Sequence, residues 1–158
     1  MEKITLKLGD VLQLESEING FVSPQDGTEL YKGFTKQNLS IILKYELKEL
    51  GEVLKAERAK VESLRDELIL KYGEKDEKNG IMVKMYNETK DDDGNVLTRV
   101  VNPQYVKFDK EYGILLDQEK EIEYPEITKE DLKEAGKSSD NYIVLFKLVK
   151  KEVKKEGA

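Results

Sequence analysis

From Thr35 to Tyr72 the chain contains no proline, and its apolar side chains recur at Leu43, Leu47, Leu50, Leu54, Val61, Leu64 and Leu68. Steps of four and three residues place these side chains on one face of an α-helix. Thr35 suits the N-cap, with Phe34 and Leu39 at the positions of a hydrophobic staple, and Gly73 suits the C-cap. A helix over about 36–72 would be roughly 55 Å long. Two residues disturb the pattern. Gly51 costs up to ~1 kcal/mol inside a helix, which leaves a kink open there. Glu57 occupies a seam position and interrupts the heptads that a coiled coil requires. The helix is expected to pack within its own chain near both ends, with an exposed and projecting stretch between. Pairing with a partner's helix, or with a second copy, is the alternative use of the seam.

Around this helix the periodicity changes repeatedly. "KITLKLGD" alternates Ile4, Leu6 and Leu8 against polar residues, as a half-buried strand does; Val11, Leu14 and Ile18 then take helical spacing up to Asn19-Gly20. "FVSPQDGTELYKG" reads as a loop with a short extended piece near Leu30 and Tyr31, and "GEKDEKNG" as a link leaving the long helix. Asn102-Pro103 supplies a cap and a first-turn proline to a helix carrying Tyr105, Phe108 and Tyr112. "KEIEYPEI" is a strand ended by Pro125. "TKEDLKEAG" is a compact helix with Thr128 and Asp131 in a capping box and Gly136 beyond its end. For residues 140–154 both strand and helix fit; the helix, capped by Ser139, is preferred. The expected fold is a single α+β domain over 1–158. It has the long helix, a β-hairpin over about 80–101, strands near 3–8 and 119–124, and several short helices.

The residues most suggestive of chemistry are Asp91, Asp92 and Asp93. A calcium loop with Gly94 sixth would have Thr89 first and Val100 twelfth, so the bidentate glutamate is missing. "IMVKMY" and "VLTRVV" flank Asp-Gly and Gly-Asn, and the segment therefore reads as a hairpin with an acidic tip. "AGKSS" at 135–139 mimics the end of a phosphate loop, but Asp131 stands where its first glycine belongs.

Composition narrows the function. The chain has no Cys and no His, which removes thiol and imidazole catalysis, Cys/His zinc sites and disulfides. A net charge of −6 disfavours phosphate backbones as partners. Charge is uneven: residues 109–134 hold ten acids and four lysines, and 147–155 five lysines and one acid. No apolar run is long enough for a membrane span, and the first ten residues do not form a secretion signal. Glu119, Glu121 and Glu123 alternate onto one strand face opposite Ile122 and Tyr124. That face and Asp91–Asp93 are the candidate protein-binding residues. No catalytic, cofactor or metal residues are assigned.

The order of the motifs "LRDELILKYGEKDEKNG" and "FDKEYGILLDQEKEIEYPEITKEDL" resembles small, uncharacterised proteins of tailed bacteriophages and prophages. There, a helix ending Lys-Tyr-Gly and an acidic Asn-Gly turn precede a Phe-x-Lys-Glu-Tyr helix, an alternating Glu strand, a proline and an Asp-Leu helix. The likeness covers about Leu39 to Leu132, while the loop before the long helix and the "MYNETKDDDGNVLTRVV" hairpin depart from it. It implies a phage genome as the setting and supplies no activity. The expectation is a non-enzymatic, protein-binding virion or assembly component in the host cytoplasm or the virion. The alternative is an inhibitor of a host defence protein acting through the acidic surface, and a carboxylate-based enzyme comes third. A phage structural protein or a host defence protein is the expected partner. Nucleic acid and membrane are not, and a homo-oligomer through the long helix is left open.

Overall fold

The computed structural model describes residues 1–134 and 142–150. In order they form β1 (Glu2–Lys7), α1 (Leu8–Asn19), β2 (Phe21–Val22), β3 (Glu29–Tyr31), a 3-10 turn (Phe34–Lys36), α2 (Ile41–Tyr72), β4 (Glu74–Asp76), β5 (Gly80–Met82), β6 (Tyr86–Lys90), β7 (Val96–Val101), α3 (Pro103–Leu116), β8 (Glu119–Tyr124), α4 (Lys129–Glu134) and α5 (Leu145–Leu148). The class is α+β, with one long helix, shorter helices and four small antiparallel strand pairs among the described residues. The backbone falls into two compact units, 1–58 with 119–158, and 59–118.

The first unit holds the core. β1 and β8 pair from Glu2↔Tyr124 to Lys7↔Glu119, so the first strand of the chain joins the segment that re-enters this unit at Glu119. Leu6 and Ile122 point inward with Val11, Leu14 and Ile18 of α1 and Leu43, Leu47, Leu50 and Leu54 of α2. Tyr142, Val144, Leu145 and Leu148 complete the cluster. The Tyr142 ring meets Phe34 edge-on at 5.4 Å. Its hydroxyl donates to the Lys32 carbonyl and accepts from Gln37 Nε2. The last segment therefore departs from a single long helix. Among its described residues only Leu145–Leu148 is helical, and Val149 makes a parallel bridge to Ile127. Residues 140, 141 and 151–154 of the expected helix, its cap Ser139, the Gly136 end signal and the "AGKSS" motif lie outside the described residues.

The long helix begins at Ile41 rather than near Thr35. Thr35 spends its hydroxyl on the Ile18 carbonyl (3.0 Å), while Ser40 Oγ accepts from the Leu43 amide (3.2 Å) and so caps α2. Phe34 and Leu39, the expected staple, are instead core residues. The helix runs unbroken through Gly51, where a side chain would strike the Asn19 carboxamide. That carboxamide donates to the Gly51 carbonyl at 3.1 Å. Glu57 in the seam is buried and paired with Lys120 of β8 at 2.9 Å.

Gly33 is a tight backbone approach in this unit: a Cβ there would collide with main-chain atoms of Ile18, Asn19 and Gly20. Gly33→Ala is expected to destabilise the protein by about 2–3 kcal/mol, because backbone cannot move aside as a side chain can. Gly113, inside α3 with open space around it, gives the opposite expectation. Gly113→Ala should stabilise by about 0.5–1 kcal/mol through helix propensity alone. Urea unfolding of both variants checks the pair.

In the second unit the chain makes two successive hairpins. Glu74–Asp76 pairs back with Gly80–Met82, so "GEKDEKNG" is a hairpin rather than a link. The turn uses Gly80 at φ 73°, with Asp76 accepting from the amide and carboxamide of Asn79. The larger hairpin is thus Tyr86–Lys90 with Val96–Val101, shorter than the expected 80–101. Asn102 caps α3 as expected, accepting from the Gln104 amide (3.1 Å) and donating to the Lys84 carbonyl (2.8 Å).

Candidate interaction surfaces

On β8, Lys120, Ile122 and Tyr124 share the inner face, which leaves Glu119, Glu121 and Glu123 together on the outer one. The register sets Lys7, Thr5 and Lys3 of β1 opposite them. Lys3 Nζ lies 3.4 Å from Glu121 and 3.5 Å from Glu123, and these carboxylates hold the ammonium above its usual pKa, Glu121 most strongly. Three acids and two lysines thus share this face, so its field is much weaker than the sequence of β8 alone suggests.

Asp91, Asp92 and Asp93 belong to the other unit, at the tip of the β6–β7 hairpin. Asp91 is committed to the turn: its Oδ1 accepts from the amides of Asp93 (3.0 Å) and Asn95 (2.8 Å). The Asn95 amide, foremost, holds the Asp91 carboxyl below the usual carboxylate range. Gly94 follows at φ 83°. Asp92 and Asp93 remain as exposed charges. Among the described residues no three His, Cys, Asp or Glu side chains are placed to hold a metal ion.

A surface that the acidic motifs did not point to lies between α2 and α3. Leu64, Leu68, Ile114 and Leu115 line an open groove of about 670 Å³, rimmed by Glu67, Lys71, Glu111 and Gln118. Lys71 Nζ bonds Glu111 Oε1 at 3.2 Å across one end. Ile114 is 55% exposed and Leu64 43%. The signal for it was present in the seam. Leu64 and Leu68 continue the pattern of Leu43–Leu54, yet only Val61 among the apolar residues of 59–118 is buried. Which half of the seam finds cover is a tertiary fact that periodicity does not carry.

A smaller concavity of the first unit is lined by Glu2, Tyr124, Glu126, Ile127, Lys147 and Lys150. Both of its lysines are already matched, Lys150 to Glu126 at 2.7 Å and Lys147 to Asp10 at 3.4 Å. No described helix is long and apolar enough to cross a membrane. No known family model matches the chain, and neither curated proteins nor solved structures show a detectable similarity to it.

Proposed function

We propose that this chain is a non-enzymatic protein-binding protein whose docking surface is the apolar groove between α2 and α3. The observation that carries the reading is the burial of residues 59–118. A unit of that length ordinarily hides about 60% of the surface its unfolded chain exposes. Here Val61 is its single buried apolar side chain, and Leu64, Leu70, Ile114, Leu97 and Val100 are all exposed. Contiguous apolar surface rimmed by charge marks an interaction site. The groove suits an amphipathic helix that presents apolar residues at three- and four-residue spacing, with Glu67, Lys71 and Glu111 matched at its edges.

The resemblance of the sequence to phage proteins supports a phage setting, and within it we read the docking role as that of a virion or assembly component with a phage structural protein as the partner. The acidic-surface inhibitor draws less support, since Lys3 and Lys7 offset the β8 carboxylates. The test is affinity capture from producing cells with the wild type and with Leu64→Glu/Ile114→Glu. Head, neck or tail proteins should be recovered with the wild type and lost at least tenfold with the variant. The variant's circular dichroism should stay unchanged, because both side chains are already exposed. Capture that survives the double substitution would remove the groove from the reading. Recovery of one host protein in its place would turn the reading to the inhibitor.

A further inference from the structure

Residues 59–118 form an inserted segment: the chain leaves the first unit at Arg58 and re-enters it at Glu119. Both ends of the segment are fixed by residues of the first unit. Arg58 bonds Glu15, Leu12 and Ser16 of α1, Glu57 pairs with Lys120 at 2.9 Å, and Lys7 stands opposite Glu119 in the β1–β8 ladder. None of these contacts involves a residue of the segment. The two units are also held in different ways. Every member of the buried apolar core among the described residues belongs to the first unit. In the second, α3 has no buried residue, and β6 and β7 are exposed throughout. Two-stranded hairpins are marginal alone in water, and so is a helix of 14 residues without a packed face. Lys71–Glu111, which ties α3 to α2, joins two exposed side chains and adds little in water.

We propose that residues 59–118 open and refold as a step of their own while the first unit stays folded. Such sub-global steps belong to regions with few buried apolar contacts. Opening this segment exposes little apolar surface that is not exposed already, and it releases the conformational entropy of the whole segment. Its ends stay joined through Arg58, Glu57 and Lys120, so what opens is a closed loop, whose entropic cost grows only with the logarithm of its length. Because α3 is one wall of the groove, the step also takes that surface apart. One consequence rests on the groove being the docking site: a helix docked there binds only the closed form and so holds the segment shut.

Hydrogen exchange of the full chain, followed by mass spectrometry on peptides from both units, tests the step in the absence of any partner. Amides of β6, β7 and α3 should be protected at least about 100-fold less than those of β1, α1 and the 41–54 part of α2. Gly113→Pro, which breaks α3 in its interior, should leave 74–116 with almost no protection while β1 and α1 keep theirs. Comparable protection of the two units in the wild type would overturn the proposal. So would a Gly113→Pro chain that loses protection in the first unit as well, since that is the behaviour of a single cooperative fold. Exchange is measured on the free protein, so its outcome is separate from whether capture through the groove succeeds.

Discussion

Arg58→Ala is expected to destabilise the first unit by about 2–4 kcal/mol, far more than the loss of a surface ion pair. Arg58 ties α2 to α1 through its guanidinium. Its Nε lies 2.6 Å from Glu15 Oε2, and its Nη2 donates to the Leu12 carbonyl at 2.6 Å and to Ser16 Oγ at 2.7 Å. The Glu15 side chain is only 11% exposed, so removing the guanidinium strands a carboxylate largely shielded from water. Asn19 still donates to Glu15 at 3.0 Å, which offsets part of the loss. Arg58→Lys should recover less than half of it, since an ammonium cannot reproduce the planar fork. Urea unfolding of the two variants measures both effects. A loss below about 1 kcal/mol for Arg58→Ala would reduce the clamp to an ordinary surface pair.

The second large effect belongs to Glu17, which is fully buried on α1. Its two carboxylate oxygens accept from the Val144 amide at 3.0 and 3.2 Å, and the amides of Leu145 and Ile143 add to the cradle. Glu17→Ala leaves these amides without their acceptor and opens a cavity, so a loss of about 3 kcal/mol is expected. The pH dependence has a definite sign. Burial, the largest influence, pushes the Glu17 carboxyl above its ordinary value, against the pull of the Val144, Leu145 and Ile143 amides. The folded protein thus favours the protonated form more than the unfolded chain does. The stability this contributes is complete below the unfolded pKa and is lost as pH rises through the folded one. Taking the wild-type stability minus that of Glu17→Gln isolates this group from the other carboxylates. That difference should grow in favour of the wild type as pH falls from about 8 to about 4, through the unfolded carboxyl range. A difference flat across this range would contradict the raised pKa.

Much of the fold follows from local rules. The turn of the β6–β7 hairpin, the Asn102-Pro103 start of α3, the Thr128–Asp131 capping box and the burial of Val11, Leu14 and Ile18 all stand where the residues indicated. Each depends on neighbours within a few positions, and such neighbours are visible in a sequence.

Where the sequence was silent, the partner is remote. Glu57 looks like a break in the seam until Lys120, 63 residues away, is found beside it. Glu17 finds its amides 127 residues further on. Thr35 signals a helix start, yet the Ile18 carbonyl takes its hydroxyl and the helix waits for Ser40. Glu121 and Glu123 form an acidic stripe on their own strand, and only the pairing with β1 brings Lys3 between them. The same limit applies to the surfaces. Leu50 and Leu64 occupy equivalent seam positions, yet one is 3% exposed and the other 43%. Periodicity decides which face of a helix is apolar. Only the placement of other elements decides how much of that face is covered, because covering it takes contacts between residues far apart in the chain.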